Sequence, residues 1–115
     1  MGTVFEVLGG VPPEFPGEMI VHSGPANHWR GIESVGGMLT MTNARLHFRP
    51  HAIAVQRGDW SCALTDIERV EAGSSLWVIP NQIVVVLRDG RREKFVVQGR
   101  DEWLARLQNF RSPYR

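Results

Sequence analysis

From Glu18 onward, short apolar stretches are separated by turn residues about every eight to twelve positions, the spacing of an antiparallel β barrel or sandwich. This pattern predicts that strands dominate from 18 to 98. Val35 to Arg49 carries the clearest alternation: Leu39, Met41, Leu46 and Phe48 fall on one face on either side of Asn43-Ala44. Arg45, His47 and Arg49 take the opposite face of the second strand, so the pattern predicts a hairpin with one wet face.

A second hairpin is predicted over Gln82 to Gln98 around Asp89-Gly90. A two-residue turn would pair Leu87 with Arg92 and Val85 with Lys94, mixing charges into the aliphatic face. A three-residue loop, Arg88-Asp89-Gly90 with Gly90 left-handed, groups Ile83, Val85, Leu87, Phe95 and Val97 on one side and Arg88, Arg92 and Lys94 on the other. Only Glu93 is then awkwardly placed. Between the hairpins, Trp60 to Leu64 and Ile67 to Glu71 read as strands broken by Thr65-Asp66, and Leu76 to Ile79 as a strand that stops at Pro80-Asn81.

From Gly99 to Phe110 the period changes. Trp103, Leu104, Leu107 and Phe110 recur at three- and four-residue steps and form a single apolar stripe, which predicts one helix. Asp101 and Glu102 favour its first turn, where free N–H groups and the dipole meet carboxylates, and Pro113 closes it. A strand series ending in one amphipathic helix suggests a barrel or bent sandwich with the helix plugging an open end. Residues 8 to 17 hold three prolines and three glycines, so residues 1–17 read as a leader, 18–111 as one domain and 112–115 as a tail.

The segment Gly37-Met38-Leu39-Thr40-Met41-Thr42-Asn43-Ala44-Arg45-Leu46-His47-Phe48-Arg49-Pro50 resembles the signature hairpin of GRAM domains, members of the pleckstrin-homology superfamily. It has a glycine, alternating apolar positions, Thr-Asn at the turn, then Arg-Leu, a variable residue and an aromatic. Trp60 to Ile67 is similar to the family's strand that ends in an aspartate and isoleucine. The resemblance spans about Glu18 to Phe110 and implies a pleckstrin-homology-like bent antiparallel barrel of about seven strands, mainly β, with one C-terminal α-helix capping an open end. It also implies a non-enzymatic binding module, for anionic lipid in some members and for protein in others. Ser23 to Gly36, read as the loop between the first two strands, offers only Arg30, with His28 and Trp29 beside it, so no dense basic clamp for a phosphoinositide headgroup is expected.

At 115 residues the chain fits one core, and 43% hydrophobic with 22% charged residues is ordinary for a globular protein. Thirteen Lys plus Arg against 12 Asp plus Glu argue against nucleic-acid binding, as does the lack of a helix for the major groove. Charge is uneven, however: residues 34–58 hold three Arg and no acid, and 88–115 hold eight bases and four acids. Arg45 and Arg49, with His47, share one outward strand face, and Arg88, Arg92 and Lys94 share another; if these faces meet, a basic patch results. Such a patch would draw the domain to an anionic membrane surface, with Trp29 and Arg30 as a second candidate contact. The plainer alternatives are a solvated charged face and a Trp29 that covers a barrel end.

Metal and catalytic readings fail on spacing. His47 and His51 would lie about 13 Å apart along a strand, too far for one ion, and Pro50 allows no helix to shorten the gap. No metalloprotease helix, phosphate-cradling loop or nucleophile elbow occurs, Gly36-Gly37 reads as a turn opening a strand, and lone Cys62 reads as a buried thiol. No cofactor and no enzyme activity are expected. The longest aliphatic run, Ile83 to Leu87, cannot cross a bilayer, no signal peptide is evident and Glu6 breaks the myristoylation pattern. The expectation is a cytoplasmic protein, peripheral at a membrane or bound to another protein through a sheet edge or the groove beside the helix, with homo-oligomers open.

Overall fold

A computed structural model describes residues 16–51, 58–75 and 78–111. Seven strands and one helix follow in chain order: β1 (Ile20–Arg30), β2 (Glu33–Thr42), β3 (Arg45–Pro50), β4 (Trp60–Ala63), β5 (Ile67–Ser75), β6 (Ile79–Leu87), β7 (Arg92–Val97) and α1 (Arg100–Arg111), with a 3-10 turn at Leu64–Asp66. Neighbouring strands pair antiparallel in the order β4-β3-β2-β1-β7-β6-β5. The sheet curls around one core built from Leu39, Met41, Leu46, Phe48, Ile83, Val85, Leu87 and Phe95, all fully or nearly fully buried. These are the alternating positions of the two hairpins, so the period-2 pattern sets the inner face.

The β6–β7 register follows the face argument. Leu87 N–H donates to the Arg91 carbonyl, Gly90 N–H donates to the Leu87 carbonyl, and Gly90 has φ 95°. A three-residue loop thus places Ile83 opposite Phe95 and Val85 opposite Glu93. In α1, Trp103 and Leu107 enter the core, while Phe110 stays 42% exposed, so the docked stripe is shorter than the periodicity suggests. Gly99, left-handed at φ 67°, accepts from the Glu102 and Trp103 amides and opens the helix. Pro113 and the tail lie outside the described residues.

Four expectations need correction. Ser23–Gly36 is not a loop: β1 continues to Arg30, only Gly31 and Ile32 turn, and β2 begins at Glu33. Pro25 is tolerated there because β7 pairs with β1 only from Ala26 to Trp29, leaving no partner for the missing N–H. Gly36-Gly37 lies inside β2, where a Cβ on Gly37 would collide with the Arg49 carbonyl oxygen and reach 2.8 Å from the Phe48 ring. β6 does not stop at Pro80-Asn81 but runs through them from Ile79, since proline is harmless at a strand's start; Leu76 and Trp77 lie outside the described residues.

The fourth correction concerns the face expected to be wet. Arg45 is 7% exposed and His47 is equally enclosed. Arg45 Nε donates to Glu18 Oε2 at 2.7 Å, and the same oxygen accepts from the Thr42 hydroxyl at 2.8 Å. Burial on this face is possible because each charge meets a partner, as an unpaired buried ion could not.

Candidate functional site

The end of the barrel opposite α1 is built where β1 finishes and β7 begins. Their register sets Trp29 opposite Lys94 and His28 opposite Phe95, which brings Arg30, Arg92 and Glu93 to one rim. Gly58, Asp59 and Trp60 complete it and, with Trp29 and Gly31, line a shallow, open hollow of about 530 Å³. At its floor His28 is 2% exposed and stacks on Phe95 with ring centroids 4.5 Å apart, with Phe48 and Trp60 at 5.3 and 5.6 Å. Arg30 Nε donates to His28 Nδ1 at 3.1 Å, so the ring proton sits on Nε2 and is donated to Glu93 Oε1 at 2.8 Å. The awkward glutamate of the β7 pattern is thereby satisfied.

Above this floor the rim is amphipathic. Ile32, at the tip of the β1–β2 turn, is 99% exposed. Arg30 reaches the Gly58 carbonyl at 2.8 Å, which fixes its guanidinium beside the turn. Trp29 is half-buried beneath Lys94, whose ammonium lies 5.5 Å from the ring centroid; its indole Nε1 is buried and makes no hydrogen bond. Trp29 therefore neither stands free on a loop nor closes a barrel end alone.

The two basic strand faces do not meet, because β2 and β1 separate β3 from β7. On β3, Arg45 engages Glu18, while His47 Nε2 and Arg49 Nε both reach Asp59 Oδ2, at 2.7 and 3.1 Å. Partial burial pushes the Asp59 carboxyl up, but the hydrogen bonds from His47 and Arg49 outweigh it and hold Asp59 below the ordinary aspartate value. On the other side, Arg92 lines the open end and donates to Glu71 Oε1 at 2.7 Å, while Arg88, in the β6–β7 turn, donates to the Thr65 carbonyl at 2.8 Å; both are exposed. Hydrogen bonds from Arg92 and Arg69 lower the Glu71 carboxyl. Lys94, Trp29, Arg30 and Arg92 thus share one rim; Arg45 and Arg49 stand apart from it.

Sequence reasoning missed His28, Glu93, Asp59 and Ile32 as parts of this end. Glu93 was the one usable signal, a lone carboxylate on an aliphatic face that needs a buried partner. Cys62 is half-buried, and desolvation pushes its thiol up to about 12, which removes it as a nucleophile at neutral pH. Among the described residues no group of three or more His, Cys, Asp or Glu is placed to hold a metal ion, and no helix is long and apolar enough to cross a membrane.

No protein-family profile matches the chain, and no curated protein matches it in sequence. Solved structures do match in shape. The N-terminal PH domain of Vps36 superposes with a TM-score of 0.72 at 13% identity, covering 91% of this chain and 87% of that one. The C-terminal domain of an unknown protein from Leishmania infantum gives 0.72 at 19% identity, covering 83% and 85%. The PH domain of human oxysterol binding protein-related protein 11 gives 0.64 at 12% identity, covering 90% and 88%. Seven antiparallel strands curled into a half-barrel, with one C-terminal helix across an end, give this chain the pleckstrin-homology-like fold.

Proposed function

We propose that the chain is a GRAM-like, non-enzymatic binding module that docks on anionic membrane surfaces with its open end. The observation that carries this reading is Ile32, 99% exposed at the outermost turn, with Arg30 two residues before it. Arg92 lines the same hollow, and Lys94 lies on Trp29 beside it. An isoleucine held in water by a tight turn gains about 2 kcal/mol when it enters an acyl layer, and each nearby base adds about 1 kcal/mol at an anionic surface. The arrangement suits a flat charged interface better than a deep headgroup clamp, because Arg30 and Arg92 are already engaged by the Gly58 carbonyl and Glu71.

The contacts named by this proposal are Trp29, Arg30, Arg88, Arg92 and Lys94, with Ile32 as the apolar element; Arg45 and Arg49, held by Glu18 and Asp59, are placed outside it. Co-sedimentation with neutral vesicles and with vesicles containing anionic lipid, at low and physiological salt, tests it. Binding should need anionic lipid, weaken with salt, and fall about fivefold for Lys94→Gln and about thirtyfold for Ile32→Asp. A wild-type chain that stays in the supernatant with every vesicle would reject the membrane reading and leave a protein partner as the ligand class.

A further inference from the structure

A second hollow, of about 600 Å³, opens on the outer face of the sheet where β1 and β7 part. The pairing of these strands ends with Ala26 opposite Val97, and Pro25 and Gln98 lie just beyond it. Asn27, Gly36, His51 and Val96 complete the lining around them. Unlike the open end, this hollow has no Lys, Arg, Asp or Glu among the described residues that line it. Asn27, His51 and Gln98 are exposed, and no other described residue hydrogen-bonds their side chains.

The two adjacent glycines of β2 stand in contrast here. Gly37 turns toward the core, where a Cβ would collide with the Arg49 carbonyl oxygen, so packing requires a glycine. Gly36 turns outward into the hollow, and its φ is not left-handed. A Cβ there would meet His51 Cδ2 at 3.5 Å and Asn27 Nδ2 at 3.6 Å, both ordinary contacts. Alanine would therefore fit at 36 and would hold a strand better than glycine does. What glycine leaves instead is a notch between His51 and Asn27, the shape expected where a ligand comes close to the backbone of a strand.

The lining narrows the chemistry of that ligand. An ion finds no counter-charge in it. An added peptide strand finds no free ladder, because Asn27 is already paired with Gly36 of β2 and with Val96 of β7. A nucleobase or a polyproline segment wants an aromatic wall, and no Trp, Tyr or Phe lines the hollow. A hydroxyl, by contrast, both donates and accepts, as do the amides of Asn27 and Gln98 and the two nitrogens of a neutral His51. Pro25 and Val96 add apolar surface for the C–H face of a sugar ring. We infer that the hollow binds a neutral sugar unit, held by Asn27, His51 and Gln98 with one edge in the notch at Gly36. This inference does not rest on the membrane reading, whose contacts lie at the open end.

The test is an amide NMR titration of the full-length chain with glucose, galactose, mannose and N-acetylglucosamine, each to about 50 mM, and in parallel with adenosine and with inorganic phosphate. At least one sugar should shift the side-chain amides of Asn27 and Gln98 and the backbone amides of Gly36 and His51 in a saturable way, while adenosine and phosphate leave them unmoved. Gly36→Ala, which fills the notch without a clash, should weaken that binding about tenfold. Asn27→Ala should weaken it about fivefold, the loss of one hydrogen bond. Gly24→Ala, whose added methyl meets nothing within 4 Å, should leave it unchanged and serves as the matched control on β1. No saturable shift at these positions with any of the sugars, a response to adenosine or phosphate in their place, or equal weakening by Gly24→Ala would overturn the sugar site.

Discussion

The floor of the open end and the outer face of β3 use the same three-part device in two environments. In each, an arginine two residues away on the same strand donates to His Nδ1, Arg30 to His28 and Arg45 to His47, and Nε2 of the ring faces a carboxylate, Glu93 or Asp59. His28 is packed among Phe48, Trp60 and Phe95, whereas His47 sits in a polar row with Asp59 39% exposed. Identical hydrogen bonds therefore differ in cost when broken, because water can replace a lost partner at Asp59 far more easily than at the aromatic floor.

The sharpest break of this comparison is His28→Ala. It empties a core site and leaves Glu93 without its donor, and should lower unfolding stability by about 4 kcal/mol, read from urea denaturation. His47→Ala should cost much less, and equal losses for the two would mean that burial does not separate the two triplets. Arg45→Ala comes next, at about 3 kcal/mol, because it strands the fully buried Glu18 carboxylate. The double variant Arg45→Met/Glu18→Gln should recover most of that loss; no recovery would show that packing of the arginine stem, and not the charge pair, is what matters.

Smaller effects follow pH. The Asp59 carboxyl lies below its ordinary value in the folded chain, so its contribution is complete above the ordinary carboxylate range and is lost as pH falls through it toward the folded value. Asp59→Asn should flatten that acid limb. His22, beside Trp103 of α1, is lowered chiefly by burial, against the pull of Glu102. Folding thus favours its neutral form, and stability should decline as pH falls through the ordinary histidine value toward the lower folded one, less so in His22→Gln. A steeper decline in His22→Gln would reverse the assigned sign. Smallest of all, Arg92→Ser breaks an exposed pair with Glu71 and should leave the denaturation midpoint unchanged.

Much of the barrel was legible because alternation and turn chemistry speak directly to burial. Leu39, Met41, Leu46 and Phe48 lie in the core where their spacing put them, and Gly90 takes the left-handed position that the face argument assigned. β1 was hidden for the opposite reason: Gly24, Pro25 and Asn27 are poor strand formers, and their conformation is imposed by pairing with β2 and β7. The open end was legible only as the isolated residues Trp29, Arg30, Arg92 and Lys94. Their gathering depends on the β1–β7 register, a contact between strands far apart in sequence that no local pattern encodes. Burial of Arg45 and His47 was invisible because their carboxylate partners, Glu18 and Asp59, come from outside the hairpin.

The docking face of the open end is tested most directly by an amide NMR titration of the full-length chain with nanodiscs of neutral and of anionic lipid. With anionic discs the account predicts selective perturbation at Trp29, Arg30, Ile32 and Lys94, reversed by salt and absent with neutral discs, with Thr40 to His47 unmoved. Perturbation centred on Thr40 to His47, or no response of the β1–β2 turn at low salt, would contradict it.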